Sequence, residues 1–147
     1  MGKIKKFNQM SKIRAYHGTT DKHLNNILKN GLNNPYLSEN DGLAEYYAME
    51  AVEEGGGNPI ILEVLVDPDN LRFDYNATSE PVYADGYGGS EEDVQNMYSK
   101  MIEDHPDWVD KKFDTILIPG KEWEYSWDYV KSVKYRGVID EKYIRVL

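Results

Sequence analysis

Residues 15–48 read AYHGTTDKHLNNILKNGLNNPYLSENDGLAEYYA and contain the signals for a strand, two helices and an extended segment between the helices. A short strand is predicted over 13–17, before the glycine that ends it. A first helix is predicted over 21–30, up to a terminating glycine. The proline that follows favours extended backbone over 36–38. A second helix is predicted from residue 41 until three consecutive glycines stop it.

The rest of the chain adds a central strand, one more helix and several late strands. Residues 60–66 (IILEVLV) are almost continuously apolar, which is typical of a strand inside a sheet. Residues 74–90 are rich in Gly, Tyr, Asp and Asn and are predicted to be a long loop. A capping box at Ser90 predicts a helix over 91–103. The predicted helices lie in the early and middle parts of the chain and most strands lie late, which indicates the α+β class. The late strands are predicted over 115–118, 130–136 and 143–146.

The composition is that of an ordinary globular chain. The protein has 147 residues, of which 40% are hydrophobic and 29% are charged, and this length suits one domain with one core. We expect a basic flexible arm over 1–12 and a single domain over 13–147. Residues 1–14 contain five basic residues and no acid, which gives this segment a charge of +5. Because the formal net charge of the whole chain is −9, the remaining residues together carry −14. Such an acidic body disfavours binding to a nucleic-acid backbone.

Missing sequence features exclude several classes of protein. There is no apolar run long enough to span a membrane, and the first residues lack the apolar stretch of a secretory signal. The chain has no cysteine, and its three histidines show no metal-ligand spacing. Phosphate-loop, dinucleotide-fold and nucleophile-elbow motifs are absent as well. We therefore expect a cytoplasmic protein with no metal and no membrane partner, of unknown oligomeric state.

One histidine and two tyrosines form a candidate binding site. His17 ends a strand and is followed by Gly18, so that a ligand could reach both the imidazole and the backbone. Tyr36 lies on the extended segment and Tyr47 on the second helix, where the two rings could form the walls of a slot for a planar ligand. Tyr46 would take the second position if the helix were rotated by one residue.

These residues resemble a known enzyme superfamily, the ADP-ribosyltransferases, and in particular the His-Tyr-Glu branch of diphtheria-toxin-like and poly-ADP-ribose polymerase enzymes. In that branch a strand ends in His-Gly, a Tyr opens the next strand, and a second Tyr follows eleven residues later on a helix. His17, Tyr36 and Tyr47 have this order and separation. The resemblance covers 13–66 well and the closing strands loosely, and it implies a split antiparallel sheet with flanking helices.

The resemblance also implies roles for individual residues. His17 would donate a hydrogen bond that orients the 2′-hydroxyl of the nicotinamide ribose, and the backbone of Gly18 would hold the carboxamide. Tyr36 and Tyr47 would enclose the nicotinamide ring, with Ser38 near the ribose. The expected NAD-binding residues are His17, Gly18, Thr19, Tyr36, Ser38, Tyr46 and Tyr47.

The catalytic glutamate of the family has no counterpart on the closing strands of this chain. The nearest acids precede those strands, and Glu122-Trp123-Glu124 resembles the Glu-x-Glu turn of arginine-modifying relatives. The expected catalytic residues are therefore His17, Tyr36 and Glu124, with Glu122 as the next choice of acid. The further alternatives are Asp128, Glu80, Asp85 and the acids at 91–93.

The function implied is that of an NAD-dependent mono-ADP-ribosyltransferase, with NAD as co-substrate. Its acceptor would be a macromolecule, with protein favoured over nucleic acid, and a small cysteine-free transferase fits a toxin or phage effector that acts in the cytoplasm of a host. A non-catalytic NAD- or ADP-ribose-binding module is an alternative, as is an enzyme similar to the RNA 2′-phosphotransferases. The latter would need arginines at a phosphate site, and this chain has only four, well scattered.

Overall fold

The computed structural model describes residues 12–110, 115–116 and 118–147, so the predicted basic arm lies outside the described residues except for Lys12. The described residues form mixed α and β structure with an antiparallel sheet, compatible with the α+β class. The α-helices are α1 (Asp21–Asn30), α2 (Asp41–Gly55), α3 (Tyr75–Ser79), α4 (Glu91–Asp104) and α5 (Trp123–Val130). The strands are β1 (Ile13–Thr20), β2 (Leu32–Asn33), β3 (Tyr36–Ser38), β4 (Pro59–Val66), β5 (Leu71–Arg72), β6 (Val109–Asp110), β7 (Thr115–Ile116), β8 (Ser132–Tyr135), β9 (Val138–Ile139) and β10 (Ile144–Val146).

The main sheet has six strands in the order β10-β4-β1-β3-β8-β5, and its neighbouring strands are antiparallel. The apolar β4 is paired on both sides, as its sequence predicts. β1 and β4 pair along their whole length, from Ile13 opposite Val66 to Thr20 opposite Pro59. By contrast, β1 and β3 pair through Tyr16 opposite Ser38. The sheet is therefore joined most loosely between β1 and β3, next to His17.

Two apolar clusters hold the elements together. One lies on the sheet and includes Leu37, Leu62 and Val133, which are at most 1% exposed. The other joins α4, α5 and the segment before α3, and includes Met97 and Met101, both fully buried. The buried methionines follow the apolar stripe predicted for this helix, and the capping box between Ser90 and Asp93 is confirmed.

The structure corrects the prediction for three segments. β1 continues through Gly18 to Thr20, so His17 lies within the strand and not at its end. The predicted loop over 74–90 contains α3, which Asp74 caps by accepting a 3.0 Å hydrogen bond from the backbone of Ala77. The acidic stretch before the last strands is the helix α5, so the strand predicted over 130–136 begins only at Ser132. No helix in the described ranges is long and apolar enough to cross a membrane.

Candidate functional site

A cavity of about 660 Å³ opens beside the loose junction of β1 and β3. Its walls come from β1, β3, α2 and α3, and its lining includes the first residue of β8. His17, Tyr36 and Tyr47 all line it. The volume is in the range typical of small-molecule sites. The structure therefore brings together the three residues that the sequence singled out.

The imidazole of His17 is held in one tautomer. Its Nδ1 lies 2.8 Å from the carbonyl oxygen of Tyr36, and a carbonyl can only accept, so Nδ1 carries the hydrogen. Burial, opposed by this hydrogen bond and assisted by the charge of Lys134, lowers the pKa of His17 below its ordinary value of 6.5. The neutral ring then presents Nε2 as an acceptor. This differs from the sequence-based expectation of a donor toward the ligand.

Tyr36 is anchored at both its hydroxyl and its ring. Its hydroxyl accepts a 2.7 Å hydrogen bond from the side chain of Asn76 on α3. The Nζ atom of Lys134 lies 3.9 Å from the centre of its ring, a distance typical of a cation–π contact. A ligand that stacks on Tyr36 must therefore use the ring face that Lys134 leaves open.

The two helix tyrosines line the cavity together, so the structure does not choose between them. Their rings meet edge to face, with centroids 5.5 Å apart and planes at 81°. The hydroxyl of Tyr46 donates to a carboxylate oxygen of Glu50 at 3.0 Å. Burial, together with the nearby charge of Asp74, raises the pKa of Tyr47 to about 12. Tyr47 is accordingly the more enclosed ring and keeps its proton at physiological pH.

Some of the small residues around His17 line the cavity, and others are buried in the core. Gly18 and Ser38 line the cavity, whereas Thr19 is buried and is not part of the lining. A Cβ atom at Gly18 would overlap the carbonyl oxygen of Ala44 and the amide nitrogen of Ala48, both in the backbone of α2. Glycine is therefore required at this position for α2 to lie close to β1 and to bring its tyrosines to the cavity.

The sequence analysis missed two buried polar residues of the cavity, Asp74 and Ser132. Asp74 is only 3% exposed and Ser132 2%, and both line the cavity. The hydroxyl of Ser132 donates a 2.5 Å hydrogen bond to Oδ2 of Asp74. The one available signal was an Asp in a position to cap a helix, but a helix of five residues has no periodicity that reveals it.

The predicted catalytic acids lie elsewhere. Glu122, Glu124 and Asp128 line a second, smaller cavity of about 380 Å³, on and next to α5. The structure therefore does not bring them together with His17. Of the reserve candidates, Glu80 and Glu91 do line the cavity of His17, and Asp85 does not. Glu50, which the sequence analysis did not consider, lines it as well.

The charge of the first cavity is one-sided. Its lining contains four carboxylates, and neither Lys nor Arg is found among the lining residues that the structure describes. Within the same described ranges there is no group of three or more His, Asp or Glu side chains arranged to hold a metal ion. The site thus combines one neutral imidazole, three tyrosines and several acids.

No family model matches the chain, and neither a curated protein nor a solved structure is significantly similar to it. The assignment of function accordingly depends on the residues of the cavity and their geometry.

Proposed function

We propose that the protein is an NAD-dependent mono-ADP-ribosyltransferase with an ADP-ribosyltransferase-like fold. The observation that carries this proposal is the convergence of His17, Tyr36 and Tyr47 on one cavity. The main sheet is continuous, and its loose junction between β1 and β3, which lies beside these residues, is the feature that favours a relation to the split sheet of that superfamily.

The chemistry assigns a task to each side chain. The nicotinamide ring would stack on the tyrosines, which restrain the leaving group while the ribose carbon moves toward the acceptor. Nε2 of His17 would accept a hydrogen bond from a ribose hydroxyl and fix the position of the sugar. The N-glycosidic bond then breaks, its electron pair leaves with nicotinamide, and positive charge develops on the ribose.

A carboxylate near the ribose stabilises this developing charge, and such a preorganised group contributes on the order of 3–4 kcal/mol to the transition state. The acceptor nucleophile then bonds to the ribose carbon and loses its proton. Four lining carboxylates are available for the electrostatic task, of which Asp74 is the buried one. We propose a macromolecular acceptor, with protein favoured because the body of the chain is acidic.

A second candidate is a binding module for NAD or ADP-ribose without catalytic activity. One observation favours it: the acids that the family resemblance predicted to be catalytic, Glu122 and Glu124, line a different cavity from His17. The RNA 2′-phosphotransferase alternative has less support, because it needs cations at a phosphate group and the described lining of the cavity supplies none.

The test uses NAD that is radiolabelled in its adenylate half, incubated with the full chain and cell lysate. We expect nicotinamide release together with covalent label on a macromolecule. His17→Ala should reduce both by at least ~100-fold, which corresponds to about 2.7 kcal/mol of transition-state stabilisation. Binding of NAD without release of nicotinamide would support the binding module instead, and a fully active His17→Ala variant would refute the site.

A further inference from the structure

Among the residues that the structure describes, Asp74 is the one charged side chain that is buried. The residue is 3% exposed and lines the cavity, and it takes part in none of the ion pairs found in the described part of the chain. Removing a carboxylate from water is costly unless an opposite charge or several hydrogen bonds compensate it. Ala77 and Ser132 supply hydrogen bonds but no opposite charge, so a cationic ligand that enters the cavity would be the ion-pair partner of Asp74.

The protein fixes this carboxylate in position. Oδ1 accepts a 3.0 Å hydrogen bond from the backbone of Ala77, and Oδ2 accepts the 2.5 Å hydrogen bond from Ser132. The backbone nitrogen of Asp74 also donates to Ser126 at 3.2 Å. Each carboxylate oxygen keeps a second lone pair that these bonds do not use. The charge is thus held rigidly and can still accept from a ligand.

The walls around Asp74 suit a flat cation. Tyr36, Tyr46 and Tyr47 supply aromatic rings, whose faces attract positive charge. The charge of Asp74 is close enough to Tyr47 to contribute to the raised pKa of its hydroxyl. The cavity is otherwise lined by Glu50, Glu80 and Glu91, so its remaining charges have the same sign. The nearby cation Lys134 lies against the ring of Tyr36.

We propose that the cavity selects a flat, positively charged heteroaromatic ring and that Asp74 is the counter-ion for that ring. The identity of the ring rests on the proposed function. If that function is correct, the ring is the pyridinium of oxidised NAD, and the cavity does not bind the uncharged ring of reduced NAD. The diphosphate would lie outside the cavity, since the described lining offers it no cation. Asp74 is then a specificity-determining residue.

The test compares two small probes that carry no phosphate. Nicotinamide is neutral, and 1-methylnicotinamide has the same ring with a fixed positive charge. We expect the wild-type protein to bind the cation at least about tenfold more tightly in calorimetric or NMR titrations. The affinity for oxidised NAD should exceed the affinity for reduced NAD by a similar factor.

Asp74→Asn removes the charge with little change of shape. Asparagine caps helices as well as aspartate does, and its amide can still pair with both Ala77 and Ser132. We expect this variant to lose most of the preference for the cationic probe. The control Glu54→Gln removes an exposed carboxylate of α2 that lines neither cavity, and it should keep the wild-type ratio. Ser132→Ala keeps the charge and should keep most of the preference.

Equal binding of the two probes by the wild-type protein would overturn the proposal, and this result needs no variant to fold. A wild-type ratio in a folded Asp74→Asn protein would overturn the assignment to Asp74. If NAD is bound and cleaved without any preference for the cationic probe, the inference fails and the proposed function stands. If the cation is preferred but NAD is not bound, the proposed function fails and the charge-selective cavity stands.

Discussion

Replacing Gly18 with alanine tests how the cavity is built. The added Cβ atom would overlap two backbone atoms of α2, the carbonyl oxygen of Ala44 and the amide nitrogen of Ala48. Neither atom can move by a rotamer change, so the whole of α2 must shift away from β1. The φ angle of Gly18 is not in the left-handed region, so the cost of the substitution is one of packing and not of backbone conformation.

The magnitude follows from two opposing effects. Overpacking of a filled interior costs roughly 1–3 kcal/mol, and the upper end applies because the overlap is with backbone. Alanine also makes the unfolded chain less flexible, which stabilises the folded protein by about 0.4–1 kcal/mol. We therefore expect a net loss of about 2 kcal/mol in the free energy of unfolding. At a typical urea dependence of ~2 kcal/mol per molar, the midpoint of unfolding falls by about 1 M.

The assay is urea unfolding followed by circular dichroism, together with NAD titration. Since α2 carries Tyr46 and Tyr47, its displacement should also weaken NAD binding. Gly55→Ala is the matched control, because no atom lies within 4 Å of a Cβ at the end of α2. That variant should be as stable as the wild type or more so, by up to ~1 kcal/mol. Wild-type stability for Gly18→Ala would refute the close contact between α2 and β1.

The remaining predictions concern the imidazole and the rings. Since the pKa of His17 is lowered in the folded protein, the unfolded chain takes up this proton first, so the free energy of unfolding should fall as the pH drops below about 6.5. His17→Gln should lack that part of the pH dependence in urea titrations between pH 7.5 and 5.5, and an unchanged slope would contradict the burial of a neutral imidazole. Tyr47→Ala should weaken NAD binding by about 0.5–1.5 kcal/mol beyond the lost contact area, and Tyr47→Phe by much less, because stacking needs the ring. Calorimetry decides this, and equal affinities of wild type and Tyr47→Ala would exclude a stacked ring on Tyr47.

The sequence predicts the elements whose signals are local and periodic. Helices α1, α2 and α4 and strand β4 lie where glycines, capping residues and apolar spacing place them. The grouping of His17 with Tyr36 and Tyr47 could also be predicted, because the elements that carry them follow one another along the chain. The hydrogen bond from His17 to Tyr36, which fixes the tautomer, depends on tertiary geometry.

Helix α5 was missed because it packs on two sides at once. Trp123 and Trp127 contact the cluster on the sheet, while Tyr125 and Tyr129 contact the cluster around α4. The apolar residues therefore alternate along the sequence, as they would in a strand, and do not form a single helical stripe. The acids between them belong to the second cavity. The expectation that Glu124 faces the ligand came from the Glu-x-Glu resemblance and from its position before the last strands, and neither observation shows which way the side chains of a helix point.

The pair of Asp74 and Ser132 has a consequence for the order of events in folding. Ser132 also lies within 3.2 Å of the carbonyl oxygen of Leu37, a residue 95 positions earlier in the chain. Contacts between such distant segments require closure of a long loop, which is slow compared with helix formation. We therefore expect the cavity to be completed late in folding, after most helical structure has formed. Binding of a cationic ring during refolding would therefore show when the last strands have joined the sheet. Circular dichroism of the helices would not detect this step.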